Sequence, residues 1–148
     1  MGRLIVLLGL LALASPAVAD DIARGKVTAL AQVNSPWDHQ WDYFKAKIQD
    51  TPSVELEYFI RGEVGTEEQM LTALRRNRIQ IGGITMWGLA GIVPESAVPM
   101  IPFLFESTEE VDFVFDNYLQ TLFTNFLADR GLVFLEWSEV GWSNLYAT

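Results

Sequence analysis

Cysteine is absent from the 148 residues, and histidine occurs once, at His39. Without thiols the chain can form no disulfide or thiolate metal site, and it offers no sulfur for a lipid anchor. One histidine and no Gly-x-Ser-x-Gly elbow leave nucleophilic hydrolysis without its usual parts. Asp38 precedes His39, but side chains at i and i+1 of a helix point apart, so His39 reads as a solvated helix residue. Positive charge is also scarce: ten Lys and Arg face nineteen Asp and Glu, a formal net charge of −9. Such a surface repels phosphate backbones and anionic lipid, which argues against nucleic-acid and membrane-surface partners. No internal repeat, low-complexity tract or proline-rich linker divides the chain, and the prior is one globular unit.

The N-terminus carries an address. Arg3 is followed by an apolar run from Leu4 to Ala14 and a small-residue stretch ending Ala17-Val18-Ala19. This is the three-part pattern of a secretory signal peptide over residues 1–19, with cleavage expected between Ala19 and Asp20. The run is shorter than the roughly 18 to 20 apolar residues a bilayer span needs, so no membrane anchor is expected. Losing Arg3 makes residues 20–148 one unit more acidic, and half of all residues are apolar, enough for a packed core.

Lys26–Val33, Val54–Ile60 and Ile79–Thr85 read as strands. Between the first two, Ser35-Pro36 announces a helix carrying Trp37, Trp41, Phe44 and Ile48 on one face. Between the next two, Thr66 and Gln69 form a capping box for a helix burying Met70, Leu71 and Leu74 and ending on Arg75, Arg76 and Asn77. A second capping box, Ser107 and Glu110, opens a long helix through Leu127, closed by Gly131. Leu132–Trp137 and Val140–Ala147 read as further strands. The alternation implies an α/β fold, mainly a parallel sheet with helices on both faces. Open parallel sheets take ligands at the carboxyl ends of their strands, where Asn34–Trp37, Arg61–Glu67 and Thr85–Trp87 emerge.

Within those segments the motifs are sparse. Gly83 and Gly88 have the spacing of a phosphate loop, but Leu89-Ala90 replaces the required Lys and Ser or Thr, and the dinucleotide glycine order is missing. Glu67-Glu68 and Glu109-Glu110 lie in first helical turns, where acids stabilise the helix dipole, and no metal set is read from them. Trp37 and Trp87 each follow a predicted strand, either as core or as walls of an apolar pocket oriented by Asn34 and Thr85.

Four stretches carry a family resemblance: KVTALAQVNSPWDHQWDYF, EYFIRGEVGTEEQMLTALRRNRIQIGGIT, IVPESAVPMIPFLFESTEEVDFVFD and GLVFLEWSEVGWSNLY. Together they resemble the N-terminal half of a solute-binding protein of the tripartite ATP-independent periplasmic (TRAP) transporter family, the DctP type. The third stretch, with its proline-rich approach to Pro102-Phe103-Leu104-Phe105, is the most specific. The resemblance implies a periplasmic-binding-protein-like lobe over residues 20–148, with the second lobe of a two-lobed clamp absent. It implies capture of a small organic acid, C4-dicarboxylate-like or related, in the periplasm, and delivery to TRAP membrane permease subunits driven by an ion gradient. No covalent chemistry, cofactor or metal is called for. First-lobe candidates for ligand binding are Asn34, Glu67, Thr85, Met86, Trp87 and Trp142, with Arg61 as a possible source of positive charge. Many members carry an arginine where this chain has Ser143, and the carboxylate-pairing arginine of acid-binding members belongs to the second lobe. Two other readings stand beside this one: a secreted small α/β enzyme using Asp38, His39 and a serine, and a nonfunctional fragment of a split gene.

Overall fold

The computed structural model describes residues 22–142. The signal segment, Ser143 and most of the Val140–Ala147 stretch lie outside these residues.

Three parallel strands form the sheet, in the order β2–β1–β3: β1 (Ala23–Thr28), β2 (Val54–Phe59) and β3 (Ile81–Gly82). Helix α1 (Pro36–Gln49) connects β1 to β2, and α2 (Glu67–Arg75) connects β2 to β3. The two helices cover opposite faces, as two adjacent glycines show. A Cβ on Gly82 would meet Leu74 of α2, whereas one on Gly83 would meet Trp41 at 2.7 Å and Trp37 at 3.1 Å on α1. Successive residues of extended chain face opposite ways, so the doubly covered sheet expected from the sequence is present. On the α1 face Val27, Ala29 and Ile60 are buried, with Trp37, Trp41, Leu56, Tyr58 and Ile81 packed on them. Phe44 meets Trp41 and Tyr58 edge-on, at centroid distances of 5.7 and 6.4 Å.

The first strand begins earlier and ends sooner than the predicted Lys26–Val33. Arg24 and Lys26 sit opposite Glu55 and Glu57 in the parallel register. Arg24 Nε lies 2.8 Å and Lys26 Nζ 3.5 Å from those carboxylates, so cross-strand charge pairing makes strand out of a polar stretch. Beyond Thr28 the regular ladder gives way to an isolated antiparallel bridge between Leu30 and Arg61, and Val33 is exposed. The third strand is shorter than Ile79–Thr85, although Gln80 and Gly83 still donate backbone bonds to Lys26 and Thr28 of β1.

Beyond β3, helix α3 (Met86–Leu89) leads to a 3₁₀ helix over Pro94–Met100, and the buried Ser96 hydroxyl donates to the Met86 carbonyl. The long predicted helix is three pieces: α4 (Thr108–Val114), a π turn over Phe115–Leu119, and α5 (Gln120–Ala128). The wider π turn rotates the apolar stripe, so Phe123 and Leu127 are buried while Tyr118 and Leu122 face outward. Gly131, at φ +73°, closes α5 as expected, with Leu132 N–H reaching the Leu127 carbonyl. Arg130 ties α5 to the segment after α3 by donating to the Ile92 carbonyl, and it also donates to the Phe126 carbonyl within α5.

Leu132–Trp137 is not a strand. Its aromatic residues fold onto the helices instead: the Trp137 ring lies 4.8 Å from Phe115 and 5.0 Å from Phe123. No described strand pairs with it, and Val133 and Leu135 stay exposed.

Candidate functional site

The parallel arrangement brings the three predicted segments to one edge of the sheet, each after the carboxyl end of its strand. Two hydrogen-bonded groups form there.

The first is built around Asp38. Ser35 caps α1 by accepting the Asp38 N–H at 3.1 Å, with Pro36 at the first helical position where its missing donor costs nothing. This cap turns the Asp38 side chain back toward the preceding loop, where it is 3 % exposed. Its Oδ2 accepts the Asn34 N–H at 2.9 Å, and both its oxygens accept from Arg61 Nη2, at 3.0 and 3.1 Å. The Asn34 amide, and after it the Arg61 guanidinium, hold the Asp38 carboxyl below the ordinary aspartate range. Arg61 is shifted upward, chiefly by its bonds to Asp38, with Asp42 and Glu63 contributing at longer range. Asn34 has φ +62°, a left-handed conformation that asparagine tolerates better than most residues.

The second group joins α2 to α3. Thr66 and Gln69 form the predicted reciprocal capping box, which fixes the first turn of α2 and with it Glu67. The Glu67 carboxylate accepts the Thr85 N–H at 2.5 Å and the Thr85 hydroxyl at 2.7 Å. Thr85 in turn caps α3 by accepting the Gly88 N–H at 3.0 Å. Met86 and Trp87 follow on α3; Met86 is partly buried and Trp87 is 62 % exposed.

Among the expected site residues, the structure therefore links Glu67 directly to Thr85 and places Met86 and Trp87 immediately after them. Asn34 belongs to the Asp38 group. Trp142 donates its indole N–H to the Thr108 hydroxyl at the start of α4, and no hydrogen bond among the described residues joins it to the strand-end groups. Trp37, by contrast, packs on the core. Asp38 and His39 point apart, as expected of neighbours on a helix: His39 is exposed, and both Asp38 oxygens serve Asn34 and Arg61, which leaves the alternative enzyme reading without its Asp–His pair.

Sequence reasoning missed Asp38 as a junction, and it missed the return of the chain to α1. Gln40 donates to the Glu139 carbonyl at 2.6 Å and accepts from the Ser138 hydroxyl, drawing residues 138–139 against the first half of α1. The signal available for Asp38 was the capped start of α1, which fixes the direction of a carboxylate at the third position of the first turn. Two surface depressions are present, one beside α2 running from Val64 and Thr66 of the loop after β2 to Arg76 and Arg78, the other along Lys26, Glu57 and Gln80. Both are open to solvent along helix and strand surface. No described helix is long and apolar enough to cross a membrane.

Comparison with known proteins bears on the fold and the family. A solute-binding protein from Chromohalobacter salexigens is 25% identical over 95 residues, 64% of this chain and 28% of that protein. A TRAP periplasmic solute-binding protein from Ochrobactrum anthropi superposes with a TM-score of 0.70 at 23% identity, covering 78% of this chain and 37% of that one. One from Roseobacter denitrificans, with bound β-D-glucuronate, gives 0.65 at 19% identity, over 73% of this chain and 36% of that one. One from Sulfurospirillum deleyianum, with bound succinate, gives 0.67 at 20% identity, over 74% and 36%. At these identities the superpositions establish the shared fold, and the chain spans little more than a third of the length of these structures. The model of bacterial extracellular solute-binding protein family 7, DctP, matches residues 28–148, and the chain belongs to that family.

Proposed function

We propose that this chain is part of the periplasmic solute-binding component of a TRAP-type transporter, capturing a small organic acid for ion-gradient-driven uptake through membrane permease subunits. The observation that carries the reading is the family match across residues 28–148. Related structures hold D-erythronate, succinate and uronates, all small carboxylates, most of them with several hydroxyls. A C4-dicarboxylate-like solute is the form we favour.

The strand-end edge suits one wall of such a site. Asn34 and Thr85 offer polar groups, Met86 and Trp87 apolar surface, and Glu67 sets the Thr85 turn. Trp142 is the proposed outer wall. An open edge of this kind encloses a solute only when a second body closes over it, which fits a hinged clamp. The export signal over residues 1–19 supplies the route to the periplasm.

Thermal unfolding of the full-length protein with succinate, D-erythronate, D-glucuronate and D-galacturonate tests the reading. A ligand at one hundred times its Kd should stabilise the native state by about 2.7 kcal/mol. Absence of any shift across the four acids, with calorimetry equally flat, overturns it.

A further inference from the structure

We infer that Asp38 is the positioning residue of the solute-binding edge: through Asn34 and Arg61 it locks the loops after β1 and β2 so that Asn34 is presented to a bound acid. The inference rests on the solute-binding reading and assigns a role to a carboxylate that this reading leaves unused.

Asp38 is the only buried carboxylate among the described residues, and one side chain there reaches two separate loops. Asn34 is the third residue of a turn closed by the Ser35 N–H to the Gln32 carbonyl. Its left-handed backbone is held from the other side by the Asp38 Oδ2 bond at 2.9 Å. Arg61 stands just beyond β2, and its backbone N–H donates to Glu63 at 2.7 Å. The Arg61 guanidinium spends one nitrogen on both Asp38 oxygens.

Arg61 is a poor receptor for the solute itself. Asp38, Asp42 and Glu63 all act on it, so its positive charge is already answered within the chain. An arriving carboxylate would compete with Asp38, which already holds the guanidinium through both of its oxygens. The same surroundings make Arg61 an effective clamp, because a half-exposed guanidinium with a buried counter-charge stays where the carboxylate holds it. The pair acts on binding by fixing loop geometry, which reduces the ordering that the solute must impose.

A double-mutant cycle on the full-length protein tests this, by calorimetric titration with succinate, D-erythronate, D-glucuronate and D-galacturonate. Asp38→Asn removes the negative charge and one of the two acceptor oxygens, so the bonds that hold both loops weaken. Affinity for the tightest acid should fall on the order of tenfold, and Asn34→Ala should lose a similar factor. The double variant should bind no worse than the weaker single one, because both changes remove the same contact. Arg61→Gln is the second route should Asp38→Asn fail to fold, and it too should be non-additive with Asn34→Ala. Additive losses overturn the positioning role, as does an Asn34→Ala protein that binds like the wild type. Unfolding of both Asp38→Asn and Arg61→Gln assigns the pair to stability alone and overturns it as well. A wild-type protein that binds none of the four acids overturns the transport reading, and the inference falls with it.

Discussion

Glu67 and Thr85 are eighteen residues apart and hydrogen-bonded twice, through the Thr85 backbone N–H at 2.5 Å and its hydroxyl at 2.7 Å. The pair fastens the start of α2 to the start of α3. Thr85→Val removes the hydroxyl from this link and the acceptor that caps the Gly88 N–H. Loss of an N-cap and of a bond to a charged partner should cost about 1–2 kcal/mol, read from urea unfolding. A Thr85→Ser protein keeps the hydroxyl and should recover most of that loss. If the valine variant is as stable as the wild type, the link carries no weight in the fold.

How far the sequence reveals this site depends on the range of the interaction. Ser35, Thr66 and Ser107 were legible as caps because a cap is written within four residues, and all three accept the expected backbone N–H. Even there the reciprocal arm differs at α4, where Glu110 accepts from Glu106 and not from Ser107. The parallel direction of the strands followed from alternation of elements, so the edge carrying Asn34, Thr85 and Trp87 was legible too, although the order of the strands was not. Asp38 with Arg61 was not: the residues are 23 apart, and each alone looks like a surface charge. Nor did helical periodicity reveal the π turn at Phe115–Leu119, since one extra residue in a turn leaves an apolar-rich helix apolar on both possible faces. Leu132–Trp137 has strand composition, but a strand needs a sheet neighbour, and Trp137 found Phe115 and Phe123 first.

Gly83 lies under Trp41 and Trp37, so its missing side chain is a packing requirement. A methyl group there would stand 2.7 Å from one indole and 3.1 Å from the other. Gly83→Ala should therefore cost about 1–3 kcal/mol through overpacking, despite the smaller backbone entropy of the unfolded alanine chain. Denaturant unfolding gives the magnitude, and a changed tryptophan emission maximum in the native state reports the displaced rings. An alanine variant with unaltered stability and emission would show that the indoles move aside freely.

Thr28 gives a prediction of opposite sign. It is fully buried at the end of β1, and its hydroxyl finds no hydrogen-bond partner among the described residues. Thr28→Val keeps the branched shape suited to a strand and removes the orphaned polar atom. The variant should be more stable by about 1 kcal/mol in thermal or urea unfolding. A loss of stability would mean that the hydroxyl is satisfied within the complete native protein.

The Asp38 junction should also leave a mark on acid stability. Its carboxyl is held below the ordinary aspartate value, first by the Asn34 N–H and then by Arg61. A group with a lowered native pKa favours the folded state when it is ionised, because the unfolded chain takes up the proton first. That contribution is complete above the unfolded value of about 3.9 and fades as pH falls through the lowered native one. Wild-type stability should thus decline on acidification below about pH 4 more steeply than that of Asp38→Asn, which has no carboxyl to protonate at that position. The two curves should converge toward strong acid, where Asp38 is neutral in both folded and unfolded wild-type chains. Unfolding midpoints of the two proteins measured from pH about 6 to about 2 decide the matter. Parallel curves over that range would mean that the bonds to Asn34 and Arg61 do not favour the ionised form.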